Sequence, residues 1–113
     1  MSQAEPDADD ALSLALAAAA HPIRRDMLAR LAQEPLNVGE LSGPYAVSLP
    51  AISRHLKTLE RAGLVERKVE GRSHVIALRS DGLRRIAEWS ARQSAEWAAR
   101  LAKLKSLMEE DNG

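Results

Sequence analysis

Seven basic residues fall between positions 48 and 79: Arg54, Lys57, Arg61, Arg67, Lys68, Arg72 and Arg79. Three acids share that span, Glu60, Glu66 and Glu70. Guanidinium and ammonium groups gathered in one segment suit a polyanion. They neutralise phosphates, and an Arg can donate two parallel hydrogen bonds to O6 and N7 of a guanine. The segment is net +4, although the 113-residue chain is neutral, with 16 bases and 16 acids. Residues 1–20 carry four acids and no base, while 21–47 and 80–113 each balance. The distribution, not the sum, is informative.

Other chemistries lack their residues. Cys is absent, which excludes disulfides, thiolate metal sites and cysteine nucleophiles. The three histidines, His21, His55 and His74, form no recognisable motif with a Ser and an acid. The six glycines are scattered and make no phosphate-cradling loop. Asp9-Asp10 and Glu109-Glu110-Asp111 suit helix ends better than an acid/base pair. No catalytic residue, metal site or cofactor is expected. The longest apolar stretch, Leu12 to Ala20, is too short to cross a bilayer, and the acids before it do not fit a signal peptide. No membrane association is expected.

The elements that must carry the basic segment are marked by their breaks. One domain is expected, from residue 9 to 108, after a disordered tail (1–8) and before a frayed one (109–113). Ala and Leu favour a helix from Asp9 to Ala20, and His21-Pro22 ends it. Ile23, Met27, Leu28 and Leu31 make a second helix amphipathic from Pro22 to Ala32, with Arg24, Arg25 and Asp26 outside. Asn37 and Glu40 have the spacing of a capping box for a short helix that Gly43-Pro44 breaks. Ser48 can cap the next helix, about 48–62, whose Ile52, Leu56 and Leu59 form a buried stripe. Gly63 ends it. Residues 64–78 alternate as two short strands around a tight Gly71-Arg72 turn. A long helix, about 80–108, closes the chain. Its Trp97, Leu101, Leu104 and Met108 step by the spacing of a helix-packing seam, and Trp89 lies two turns before Trp97.

A short helix, a turn, a second helix with polar residues outside and a hairpin make a mainly α fold with a β-hairpin wing: a winged helix-turn-helix. Such a helix fits the DNA major groove. Pro50, Ala51 and Ser53 are small enough for close approach, and Pro50 or Ala51 can touch a thymine methyl. Arg54 suits a guanine, and Lys57 a phosphate. Ser48 lies at the same end. His55 either contacts DNA or packs at the helix edge against backbone. Lys68 and Arg72 extend the surface onto the wing, Arg72 at a tip that can enter a minor groove. Arg67 shares a strand face with Val65 and Val69, and so turns toward the body. His74 is a plain wing residue, and Tyr45 a packing residue in the turn.

The run from Ser48 to Val65, Ser-Leu-Pro-Ala-Ile-Ser-Arg-His-Leu-Lys-Thr-Leu-Glu-Arg-Ala-Gly-Leu-Val, resembles the recognition helix and turn of the ArsR family of bacterial winged helix-turn-helix repressors. His21-Pro22-Ile23-Arg24-Arg25 resembles the opening of that family's second helix, and Glu70-Gly71-Arg72 its wing turn. The similarity spans roughly residues 12–105. It implies a homodimer held by the first and last helices, with Leu12, Leu16, Trp89, Trp97, Leu101, Leu104 and Met108 at the interface. It also implies an inverted-repeat double-stranded DNA operator, commonly in the protein's own promoter, and a cytoplasmic, nucleoid-associated location. The metal ligands of the sensing members, Cys near the short helix or Asp and His on the last, have no counterpart here; the similarity is greater to the metal-free branch. Two other readings remain: a winged-helix module docking a protein partner, which zero net charge motivates, and a repressor with a small-molecule effector near the two Trp at the dimer interface. The effector itself is not specified.

Overall fold

The computed structural model describes residues 8–111, so the expected N-terminal tail lies, up to Asp7, outside the described residues. The chain order is α1 (Ala8–Ala18), α2 (Pro22–Leu31), β1 (Leu36–Asn37), α3 (Val38–Ser42), α4 (Leu49–Arg61), β2 (Val65–Glu70), β3 (Ser73–Leu78) and α5 (Ser80–Asp111). α5 continues through Glu109 and Glu110, where a frayed end was expected at Met108. α1 ends two residues before Ala20.

Each junction has a chemical cause. His21 caps α2 by accepting from the Ile23 N–H through Nδ1 at 3.1 Å, and Pro22 follows in the first turn. The Asn37 Oδ1 accepts from the Glu40 N–H at 2.8 Å, and the Glu40 carboxylate accepts from the Asn37 N–H at 3.1 Å, a complete capping box. The Ser48 Oγ accepts from the Ala51 N–H at 3.3 Å. At its far end α4 closes with two backbone bonds, Leu64 N–H to Leu59 O and Gly63 N–H to Glu60 O, with Gly63 at φ +71°. That is a Schellman ending, and it needs the left-handed backbone that glycine tolerates.

Expected strands β2 and β3 pair antiparallel from Val65↔Leu78 to Glu70↔Ser73, around Gly71 at φ +61°. The sequence did not predict β1, a two-residue strand pairing Leu36↔Ile76 and Asn37↔Val75, so the sheet order is β1-β3-β2. Two residues carry too little alternation to be legible.

The core joins Ala15 and Ala18 of α1, Met27 and Leu31 of α2, Leu41 of α3 and Ile52, Leu56 and Leu59 of α4 with Leu64, Val65 and Ile76. The stripe expected on α4 is at most 1% exposed. α5 enters this core only through its first two turns, where Leu83 and Ile86 pack against it. A Cβ on Gly82 would stand 2.6 Å from the Ala62 carbonyl oxygen and 2.8 Å from Leu64 Cδ2. Glycine there lets α5 cross directly over the end of α4.

One expectation is corrected in α2. Arg24 and Arg25 do not simply face outward. Arg24 Nε donates to Ala18 O at 2.6 Å, and Arg25 Nη1 to Ala19 O at 2.9 Å. α1 has no basic residue in its last turn. The carbonyls of Ala18, at its end, and Ala19, just past it, take side-chain partners from α2.

Candidate nucleic-acid interface

α4 presents two unlike faces. Ile52, Leu56 and Leu59 are buried, while Pro50, Ser53, Arg54 and Lys57 are exposed, and Ala51 is half-buried at the edge between them. Because α4 is capped at Ser48 and closed at Gly63, the exposed residues lie in one continuous row. The Ser48 hydroxyl oxygen is engaged in the cap, which leaves its O–H proton to donate outward. Leu49, the first residue of α4, is 72% exposed, more than any other large apolar residue in the described chain. Sequence reasoning passed over it because a lone apolar residue at a helix start has no periodic signature.

Arg67 takes the place expected for it. Its Nη2 donates to Glu60 Oε1 at 2.8 Å and its Nε to the same oxygen at 3.3 Å, joining the wing to the last turn of α4. Both side chains are about one-third exposed or less, so the pair is worth more than a fully solvated one, though still of order 1 kcal/mol. Arg67 Nη1 also lies 3.4 Å from His74 Nδ1. Lys68 reaches only Glu66, at 3.8 Å on the surface, a contact too solvated to hold it. Arg72 is exposed at the wing tip. Between the wing and the start of α3 lies an open groove of about 470 Å³ whose lining includes Arg67, Arg72, His74 and Asn37.

His55 is tied rather than free. Its Nδ1 lies 3.0 Å from Arg24 Nη1, and its ring centroid is 4.5 Å from that of His21. Burial first, then His21, Arg24 and Arg54, hold its imidazole pKa below the ordinary value. Of the two roles open from sequence, this contact is closer to a packed histidine, but its partner is a guanidinium instead of backbone. Nothing local in the sequence brings Arg24 to α4. Its contact with His55 spans 31 positions, and no local pattern encodes such a distance.

Tyr45 packs against the core as expected, and its hydroxyl joins a polar cluster with Asp26 and Arg30. Of the expected interface residues, Leu12 and Leu16 are half-buried within the chain. Trp89, Trp97, Leu101, Leu104 and Met108 are 36–59% exposed along α5, and Leu107 joins them at 51%. Among the described residues no group of three or more His, Cys, Asp or Glu is placed to hold a metal ion. No described helix is long and apolar enough to cross a membrane.

A capped, two-faced helix following a short helix and turn, with a hairpin fastened beside it, defines a winged helix-turn-helix. Residues 19–68 match a helix-turn-helix domain family. The chain is 47% identical over 60 residues to the HTH-type transcriptional regulator Rv2034 of Mycobacterium tuberculosis, across 53% of this chain and 56% of that one. It is 31% identical over 77 residues to the biofilm growth-associated repressor of Agrobacterium fabrum, across 68% of this chain and 66% of that one. The matched segments thus span between half and two thirds of these relatives. The crystal structure of the ArsR family transcriptional regulator RHA00566 superposes with a TM-score of 0.75 at 30% identity, covering 87% of this chain and 97% of that one. The chain belongs to the ArsR family of winged helix-turn-helix transcriptional regulators.

Proposed function

We propose that the protein is a DNA-binding transcriptional regulator acting as a homodimeric repressor in the bacterial cytoplasm. Each protomer lays α4 in a major groove and its wing against the neighbouring minor groove. The observation that carries this reading is the exposed row of Leu49, Pro50, Ser53, Arg54 and Lys57 on a helix whose opposite face is sealed in the core. Arg54 and Ser53 address base edges, Lys57 and Lys68 address phosphates, and Arg72 addresses the minor groove. The likeness to a protein named as a repressor supports the direction of regulation.

A second copy completes the molecule. Trp97, Leu101, Leu104 and Met108 follow a 4-3-4 spacing, and each is more than half exposed among the described residues. Pairing through α1 and α5 would bury them and set two reading helices about 34 Å apart, one helical turn of an inverted repeat. Association then competes with polymerase at the promoter, the protein's own among them.

A gel-shift titration against duplex covering the gene's upstream region, at low and moderate salt, tests the reading. Binding should exceed that to a scrambled duplex, and log affinity should fall linearly with log salt. Equal affinity for both duplexes at both salts would remove self-regulation. No binding to any duplex would remove the DNA-binding assignment.

A further inference from the structure

One planar group joins three helices. The Arg24 guanidinium donates through Nε to Ala18 O at 2.6 Å and through Nη2 to Ala17 O at 3.3 Å, both at the end of α1. Its third arm, Nη1, reaches His55 Nδ1 on α4 at 3.0 Å. A guanidinium has no acceptor, so the direction is fixed: Arg24 donates and the Nδ1 lone pair of His55 accepts. The His55 proton therefore sits on Nε2. His21 is held in the same tautomer, because its Nδ1 accepts from the Ile23 N–H.

We propose that Arg24 is a positioning residue for the DNA-reading helix, acting through His55 Nδ1 to fix the rotation of α4 against the end of α1. The proposal rests on α4 being the helix that meets DNA. Burial of Ile52, Leu56 and Leu59 seats α4 without a directional bond and the Arg67–Glu60 pair holds its last turn, so Arg24 supplies the directional tie at mid-helix. A roll of roughly 20° about an axis some 6 Å from the side-chain tips moves them by about 2 Å, enough to break a hydrogen bond to a base edge. Arg54 is the residue before His55, so the latch acts next to the strongest candidate for base contact.

The latch is sensitive to protons. A protonated His55 would turn an N–H toward Arg24, donor against donor and cation against cation. The charged or titratable groups around it are His21 at the α1–α2 junction, Arg24 on α2 and Arg54 on α4, all basic. Burial opposes protonation first and these groups add to it, which keeps the acceptor available at neutral pH.

Two measurements decide the matter. In the free protein, imidazole NMR should show His55 as the Nε2–H tautomer, titrating below an ordinary histidine. In Arg24→Gln its midpoint should move up toward the ordinary value. An unchanged midpoint and tautomer would overturn the latch, whatever the protein does with DNA. Second, the duplex recovered by the wild-type protein from a randomised pool is compared with a scrambled duplex between pH 5 and 8. The wild-type preference should shrink as the pH falls through the His55 midpoint. Arg24→Gln should lose roughly tenfold of that preference at pH 7.5, with its weaker binding to scrambled duplex unchanged. His55→Asn keeps an acceptor near the Nδ1 position and takes up no proton. It should retain the neutral-pH preference and show no acid-side loss, even if Arg24→Gln folds poorly. A His55→Asn protein that lost its preference, or kept the acid-side loss, would contradict the latch. A wild-type protein that recovers no preferred duplex removes the DNA reading instead, and the imidazole titration alone then decides whether Arg24 holds His55.

Discussion

Tyr45 Oη donates a 2.6 Å hydrogen bond to Asp26 Oδ2, joining the turn before α4 to the outer face of α2. Arg30 completes the clamp. Its Nη1 donates to Tyr45 Oη at 3.2 Å and to Leu41 O at 2.6 Å, its Nη2 donates to Glu40 O at 2.9 Å, and its guanidinium carbon lies 5.5 Å from the Tyr45 ring centroid. Two of the last carbonyls of five-residue α3, those of Glu40 and Leu41, are thereby satisfied from a neighbouring helix, and Ser42 O accepts from the Tyr45 N–H.

Burial and the Asp26 hydrogen bond raise the Tyr45 phenol above its ordinary 10.0, outweighing Arg30, which lowers it. Tyr45 is the only tyrosine, so tyrosinate absorbance reports it without overlap from another phenol. The folded-state pKa exceeds the unfolded one. The linked stability is therefore fully present below about pH 10 and is lost as pH rises through the folded value. Tyr45→Phe should remove that alkaline dependence and cost about 1 kcal/mol at neutral pH, measured by urea unfolding at both pH values. A phenol titrating at or below the ordinary value would contradict the clamp.

Gly82→Ala should destabilise the fold by about 2 kcal/mol or more in thermal or denaturant unfolding. The new methyl would meet the Ala62 carbonyl oxygen at 2.6 Å, a backbone atom that the Schellman ending of α4 holds in place. Gly39→Ala is the contrast. Its methyl meets only Asn37 Oδ1, at 3.4 Å. It should be neutral or stabilise by about 0.5 kcal/mol.

Arg54 and Lys57 should separate in their effects on DNA. Arg54→Ala should relax sequence preference at one position of each half-site by about 1–3 kcal/mol, seen by binding single-base variants of a selected duplex. Lys57→Ala should weaken all duplexes alike and reduce the salt slope by about one per protomer. The reverse pattern would exchange their assignments.

Leu49 stands 72% exposed where α4 begins, beside exposed Pro50 and Val47. Laid in a major groove as proposed, it would meet thymine methyls. Replacing thymine by uracil in a selected duplex, which deletes only that methyl, should lower wild-type affinity several-fold. The same exchange should leave Leu49→Ala unaffected; an equal loss in both proteins would exclude Leu49 as the contact.

The sequence exposed whatever is local. The capping box at Asn37 and Glu40, the Ser48 cap, the α4 stripe and the Gly71 turn each occupy a few consecutive positions whose residue types have one physical use. The candidate reading face followed from that stripe, because a helix that buries Ile52, Leu56 and Leu59 must present Arg54 and Lys57 elsewhere. Contacts made by long polar side chains across the fold stayed hidden. Arg24 looks like any exposed helical arginine until the end of α1 and His55 come within its reach. Arg30 looks the same until Leu41 O and Tyr45 do. β1 is set by its pairing with β3, and its two residues carry no pattern of their own.

Asn37 closes β1 against the wing strand and, through its side chain, opens α3. Arg67 fastens the other wing strand to α4. Helix-turn-helix and wing are therefore joined at both edges, by backbone pairing at β1 and by the Arg67–Glu60 pair at β2. A signal that weakens DNA binding without unpairing these contacts would leave the wing where it is. Such a signal would instead work as a lever on α1 or α5, changing the angle or the separation at which two copies would be held.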